Sequence, residues 1–334
     1  MGGSSLGGEV LAQLREPGEL RFHVVDNVDP RSLARLTESL PFASTAFLVV
    51  SKSGGTVETL ALMAALLRSM QPHSPRYGEH FFVITIPNDN PLHRLAVTHG
   101  MRVIAHDVDL GGRFSIFSPV GLIPAAALGV DIRALRAGAH GVLQQPRDAV
   151  ESAALHCALM EKSIAVNVLM HYCDRLGGLV AWYRQCWAES LGKAGKGTIP
   201  VRSRGATEQH SQLQLYLEGP KDKFFTALML DTIGEGAEIG FEADSDPRLD
   251  YLSGHRLGDL LFAEQRGTNA TLVEAGCPLR SITCTSISAP VVGALLMHFM
   301  LEVMFTAELM GVNAFDQPAV EKSKRLTLAY LAGH

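Results

Sequence analysis

The chain has 334 residues, 47% of them hydrophobic and 19% charged, with a formal net charge of −5. That length exceeds one ordinary core and predicts two domains, and so apolar a composition excludes a disordered chain. No basic stripe is present, which argues against a nucleic-acid binder, so an anionic ligand has to be met by local positive groups.

In chain order, strand and helix signals alternate through the first half. Residues 2–14 read as a glycine-rich turn leading into a helix. Residues 21–26 ("RFHVVD") read as a strand and 31–40 as a helix. The short apolar run 46–51 reads as a strand, and 56–70 as a helix with one apolar side. Strands follow at 80–86 and 102–108, separated by a helix at 92–100. A loop and an apolar helix occupy 111–132. Such alternation predicts a parallel sheet covered on both faces.

The second half begins with residues 147–173, which read as one long helix. Strands are then expected at 177–183, 197–201, 223–230 and 280–286. A helix and loop are expected over 184–195, a helix from 208 stopped by Gly219-Pro220, and further helices at 255–276, 289–310 and 318–332. The apolar stretch 289–305 contains His298 and Glu302 and reads as a buried helix, not a membrane span. The odd set Cys157, Cys173, Cys186, Cys277 and Cys284 has wide spacing and no Cys-x-x-Cys pair. It predicts reduced thiols in a cytoplasmic protein, without disulfides or a zinc site.

Several stretches carry chemistry. Ser51-Lys52-Ser53-Gly54-Gly55-Thr56 joins a strand to a helix. Free N–H groups at the helix start, close backbone approach at the glycines, three hydroxyls and one ammonium make an anion-ready turn. The same pattern also fits an ordinary capped turn, and it lacks the order of a nucleotide P-loop. Gly3 and Ser4 lie in a second Gly/Ser stretch, which equally fits a glycine-rich tail. Arg113 follows two glycines and offers a fork of donors, or is a surface arginine in a turn.

Glu189 sits between a tryptophan and a Gly/Lys loop, a setting for a general base or for a solvated helix carboxylate. His210 is near an expected helix start and can shuttle protons or simply cap. Lys324 follows Gln317 on the last helix, where most lysines are solvated.

Taken together, "GGSSLGG", "SKSGGTVETL", "GGRFSIFSPVGLIPAAALGVDI", "ESLGKAGKGTIPV", "EQHSQLQLYLEGP" and "NAFDQPAVEKSK" span residues 2–324 in one order. This combination resembles the glucose-6-phosphate isomerase (phosphoglucose isomerase) family. The resemblance implies an α/β fold of two sugar-isomerase, flavodoxin-like domains, each a parallel sheet sandwiched by helices, plus a C-terminal helix. The boundaries expected are 1–145, 146–310 and 311–334.

It implies interconversion of glucose 6-phosphate and fructose 6-phosphate through an enediolate in glycolysis and gluconeogenesis, with no metal or organic cofactor. By motif, Ser51, Lys52, Ser53 and Thr56 match the phosphate site, with Gly3 and Ser4 beside it. Glu189 matches the base, Arg113 the enediolate stabiliser, and His210 with Lys324 the ring-opening pair, with Gln317 near the substrate. A homodimer is implied, with the histidine reaching across to the partner; neither nucleic acid nor membrane is an expected partner.

Three departures accompany the resemblance. The N-terminal segment and a strand expected ahead of "GGS" are absent, which predicts a first sheet short of a strand, in a truncated gene product or a chain with a misassigned start. Ala314 and Ala319 stand where Pro and Gly are expected. Three other readings stay open: a dual phosphoglucose/phosphomannose isomerase, a non-catalytic sugar-phosphate-binding fragment, and the isomerase half of a longer fusion.

Overall fold

Every pairing between strands among the described residues is parallel, as strand–helix alternation requires. The structure, a computed structural model, describes residues 2–15, 18, 20–241 and 246–333. Two compact units emerge. The first comprises Met1–Gly138, Arg175–Gln185 and Ile287–Gly293; the second comprises Ala139–Asp174, Cys186–Ser286 and Ala294–His334. Neither is one continuous stretch of chain.

The first unit holds α1 (Gly3–Ala12), α2 (Pro30–Ser39), β1 (Phe47–Val50), α3 (Val57–Met70), β2 (Phe81–Thr85), α4 (Pro91–Thr98), β3 (Arg102–Ala105) and α5 (Pro119–Ala127). Helix α6 (Ile132–Gln144) starts in it. The strand order is β1-β2-β3. Central β2 is almost wholly buried, and Phe81 and Val83 pack with Met63, Leu67 and Met70 of α3 and Leu92 and Ala96 of α4. The helix starts are signalled locally. The N–H of Ser32 donates to Asp29 Oδ1 at 2.6 Å ahead of α2, and that of His93 to Asn90 Oδ1 at 2.9 Å ahead of α4; each helix has Pro at its first position.

The second unit holds α7 (Arg147–Glu161), β4 (Val166–His171), the end of α8 (Gly177–Leu191), β5 (Ile199–Arg204), α9 (Leu213–Glu218), β6 (Lys223–Leu230), α10 (Leu257–Glu274), β7 (Leu279–Cys284), most of α11 (Ala289–Met310) and α12 (Glu321–Leu331). The order is β5-β4-β6-β7. Strand β6 is buried on both faces over its first six residues, the mark of a covered central strand. Val168, Met170 and Phe225 pack with Tyr216 and Leu272. Helix α11 is long and apolar enough to cross a membrane by length and composition, yet 56% of its most apolar window is buried inside the protein.

Four expectations are overturned. Residues 21–26 form no strand: they are half-buried or exposed and pair with no neighbour among the described residues, and an extended run needs a ladder to become one. The single helix expected over 147–173 is helix α7 followed by strand β4. The break falls at Ser163, whose φ of +65° ends the helix in a conformation that usually calls for glycine. Residues 177–183, expected as a strand, are the start of α8; its first seven residues are nearly continuously buried, so its pattern lacks a polar face. The glycine-rich opening is also not a turn before a helix but the helix itself, from Gly3 onward.

Candidate active site

In the first unit, β1 ends at Val50 and the chain turns through Ser51–Thr56 into α3. Ser51 is buried, and its hydroxyl pairs with the Thr56 hydroxyl at 2.9 Å. Thr56 is the residue before the helix, yet its side chain makes no cap to the first-turn N–H groups. The start of α3 therefore keeps its positive end free of a side-chain cap. Gly54 has a φ of +64°, and a Cβ there would come within 1.7 Å of Asn90 Oδ1. Only glycine lets the turn close on Asn90.

Asn90 is the residue that sequence reasoning missed. It is buried, and its Nδ2 donates to Ile86 O at 2.9 Å and Asn88 Oδ1 at 2.8 Å, while Leu92 N donates to Gly54 O at 3.0 Å. It thus braces the turn from behind. The Asn-Pro pair at 90–91 was the available signal, since it marks a helix start. Lys52 is half-buried, and its carbonyl accepts from Ile86 N at 3.2 Å. Ser53 is exposed, and its hydroxyl accepts from Gly55 N at 3.3 Å.

The other first-unit residues form a second group. Gly3 opens α1 flush against the backbone of the 3-10 turn Gly112–Phe117; a Cβ on Gly3 would lie 2.4 Å from Arg113 N. On the far side, a Cβ on Gly112 would lie 3.7 Å from Ser4 Oγ. The motifs "GGSSLGG" and "GGRF", separate in sequence, are thus one packed element. Arg113 is only 3% exposed, not the surface arginine that a turn suggests. Its guanidinium lies 5.2 Å from the Phe114 ring centroid, and its carbonyl accepts from Trp182 Nε1 at 2.9 Å. A guanidinium stays charged when buried, so this is a fixed positive group in a protected place.

In the second unit, Glu189 occupies the last turn of α8 and is half-buried. Its neighbours Trp187, Ser190 and Leu191 are fully buried, and Trp187 Nε1 donates to Thr198 Oγ1 at 3.0 Å. The backbone that carries the carboxylate is therefore anchored on both sides. His210 ends the 3-10 turn Thr207–His210 and is exposed. The turn beneath it is held by Gln209 Nε2 donating to Tyr172 Oη at 2.7 Å and by Arg204 N donating to Glu208 Oε2 at 2.7 Å. Gln317 is half-buried ahead of α12, and Lys324 is exposed on α12, 2.6 Å from Glu321 Oε1. That exposed pair is worth little and leaves the ammonium available.

Also in the second unit, Glu302 is fully buried on α11, with Arg280 Nη1 at 2.6 Å, His156 Nε2 at 3.3 Å and His298 Nε2 at 3.6 Å. Burial alone pushes the Glu302 carboxyl up, but Arg280 and the two histidines overrule it and hold it well below the usual carboxylate range. His156 packs on Trp187, with ring centroids 4.3 Å apart, and its burial pushes the imidazole down against the pull of Glu302. An open groove around Tyr77 and His99 contains none of the candidate residues.

Comparison with known proteins places these motifs in context. The family model described as phosphoglucose isomerase matches residues 1–210. The glucose-6-phosphate isomerase of Thermus thermophilus is 38% identical, covering 100% of this chain and 82% of that protein. A crystal structure of a hypothetical protein, also from Thermus thermophilus, superposes with a TM-score of 0.90 at 37% identity, covering 99% of this chain and 82% of that one. A crystal structure of a glucose-6-phosphate isomerase from Chlamydia trachomatis shares the fold, with a TM-score of 0.82 at 22% identity over 99% of this chain and 68% of that one.

Proposed function

This chain belongs to the phosphoglucose isomerase family, and from that premise we infer that it interconverts glucose 6-phosphate and fructose 6-phosphate, a step of glycolysis and gluconeogenesis. The observation that carries the substrate class is the turn Ser51–Thr56. Its hydroxyls are pre-positioned, its glycine is closed on Asn90, and the helix behind it has no side-chain cap. A phosphate there receives N–H groups, hydroxyls and the Lys52 ammonium. Gly3 and Ser4 complete the sugar-phosphate contacts beside Arg113.

The chemistry assigned to the remaining residues follows from their types. Ring opening takes a proton from the anomeric hydroxyl and gives one to the ring oxygen; His210 and Lys324 serve that exchange, with Gln317 orienting the chain. Glu189 then removes the carbon-2 proton and returns it to carbon 1. The electron pair left at carbon 2 forms the carbon–carbon double bond as the carbon-1 carbonyl oxygen becomes the enediolate oxygen, which the buried Arg113 guanidinium stabilises; the hydroxyl proton of oxygen 2 passes to oxygen 1 as the carbon-2 ketone forms. The remote phosphate supplies binding energy that orients the reacting carbons.

Four further readings belong to this proposal. A second copy of the chain is the expected partner: α12 buries none of its side chains, and Leu326, Leu328, Tyr330 and Leu331 are 45–72% exposed. An 11-residue helix without packing is marginal in water, so a dimer that covers this face fits it. Five free thiols fit a reducing cytoplasm. The domain division favoured is two sugar-isomerase domains with α12 as an appended helix. The relative named glucose-6-phosphate isomerase does not favour dual action on mannose 6-phosphate.

The test is a coupled assay on purified protein with fructose 6-phosphate and, in parallel, mannose 6-phosphate, with molar mass read by light scattering. Turnover of the first, none of the second and a dimeric mass are expected. No turnover of fructose 6-phosphate refutes the inference.

A further inference from the structure

The Gly/Lys loop that follows Glu189 has a task that the reaction steps above do not include. Residues 192–197 fold back on themselves: Lys193 N donates to Leu191 O and Lys196 N to Lys193 O, each at 2.8 Å. Ala194 has a φ of +51° and Gly195 a φ of +73°. This tight winding aims both lysines at a single target, the segment 310–316 that leaves α11.

Lys196 Nζ donates to Met310 O at 2.6 Å, at the negative end of α11, where a cation is favoured. Lys193 Nζ donates to Asn313 O, to Asp316 O at 2.7 Å and to Asp316 Oδ1 at 2.7 Å. An ammonium has three N–H groups, and here three oxygens take them. The Lys193 side chain is only 14% exposed, while Asp316 is 52% exposed, so the ammonium end of this grip is less screened than in the surface pair Lys324–Glu321. The next residue after Asp316 is Gln317, and α12 with Lys324 begins four residues beyond that.

We propose that Lys193 is a positioning residue for the isomerase. Its ammonium locks the strap Asn313–Asp316 to the loop ending the Glu189 helix, and so sets Gln317 and Lys324 in register with the proton-transferring carboxylate. The proposal rests on the isomerase reading given above. A lysine is suited to this where an arginine is not. The three oxygens converge on one point, which a compact ammonium can fill and a planar fork cannot. Lys196 secures the end of α11 further from the strap and acts on stability alone.

The experiment uses Lys193→Met, Lys193→Arg, Asp316→Asn, Lys196→Met and the double variant Lys193→Met/Asp316→Asn in the full chain. Readouts are steady-state kcat and KM with fructose 6-phosphate, hydrogen exchange over residues 311–317, and melting temperature. Lys193→Met is expected to lower kcat about 10- to 100-fold, the cost of misplacing reacting groups by roughly an ångström, with KM within about threefold. Exchange over 311–317 rises, and Lys193→Arg falls between parent and Lys193→Met.

Adding Asp316→Asn to Lys193→Met costs less than the two separate losses multiplied, because both cut one contact. Lys196→Met lowers the melting temperature with kcat unchanged. With an active parent, unchanged exchange over 311–317, a kcat within threefold of the parent in Lys193→Met, or losses that multiply in the double variant overturns the clamp. If Lys193→Met does not fold, a parental kcat in Lys193→Arg and Asp316→Asn does the same. A parent inactive on fructose 6-phosphate overturns the isomerase reading first, and exchange then still reports on the clamp independently.

Discussion

Gly3→Ala is the substitution on which the packing of the Arg113 group can be tested most sharply. The added Cβ would lie 2.4 Å from Arg113 N, 2.5 Å from Gly112 C and 2.8 Å from Arg113 Cα. All three are backbone atoms, so no side chain can swing away. Restoring ordinary van der Waals contact needs about 1 Å of separation between α1 and the Gly112–Arg113 backbone. Overpacking of this kind costs about 1–3 kcal/mol. Replacing Gly by Ala in a helix gains at most about 1 kcal/mol, and less at a first position such as this.

The clash wins, so the melting temperature falls. The guanidinium moves with its backbone, and a shift near 1 Å lowers kcat roughly 10- to 100-fold. Gly8→Ala is the control in the same helix: its Cβ would meet nothing nearer than Phe22 Cζ at 3.7 Å, so it is expected to be neutral or stabilising with parental kcat. Thermal melts and the fructose 6-phosphate assay on the two variants decide the matter. Gly3→Ala with parental stability and kcat refutes the close seating of α1 on Arg113.

Three other expectations follow from the site. Glu189→Gln keeps the shape of the proposed base but cannot accept the proton; kcat should drop at least about 10²-fold with KM little changed, and near-parental turnover rejects the role. Lys52→Ala removes a charge from the proposed phosphate turn, so KM for fructose 6-phosphate should rise about tenfold or more, and an unchanged KM counts against that turn as the anchor. The third concerns pH. Burial pushes the His156 and His171 imidazoles below the usual histidine value, so the unfolded chain binds more protons than the folded one as pH falls below about 6.5. Glu302, held low in the fold, adds a loss of the same sign as pH falls below about 4.5 toward its folded value. Stability should therefore be full above about pH 6.5 and decline on acidification. His156→Gln should flatten the decline below about pH 6.5, and a melting profile identical to the parent's there rejects the assignment.

Residues 46–51, 80–86 and 102–108 were legible as strands because apolar β-formers there are bounded by turns, and 56–70 as a helix because one side is apolar. The sequence also determined which turns are chemically equipped. Hydroxyls, glycines and a lysine at 51–56, and the ordered family phrases from Gly3 to Lys324, required no coordinates to be read.

Local pattern failed where the deciding partner lies far along the chain. Residues 21–26 alternate like a strand but find no ladder to join. The stretch 177–183 is apolar on all sides because tertiary structure surrounds it, and a surrounded helix has no polar face to give its period away. The helix stop at Ser163 went unseen because a serine holds the positive φ that glycine normally announces.

The burial of Arg113, the bracing of Gly54 by Asn90 and the grip of Lys193 on Asn313 and Asp316 are likewise tertiary facts. Residue type fixes what a side chain can donate, accept or carry. Which oxygen it meets, and whether water reaches it, depends on segments brought together by folding, and only the tertiary structure decides that.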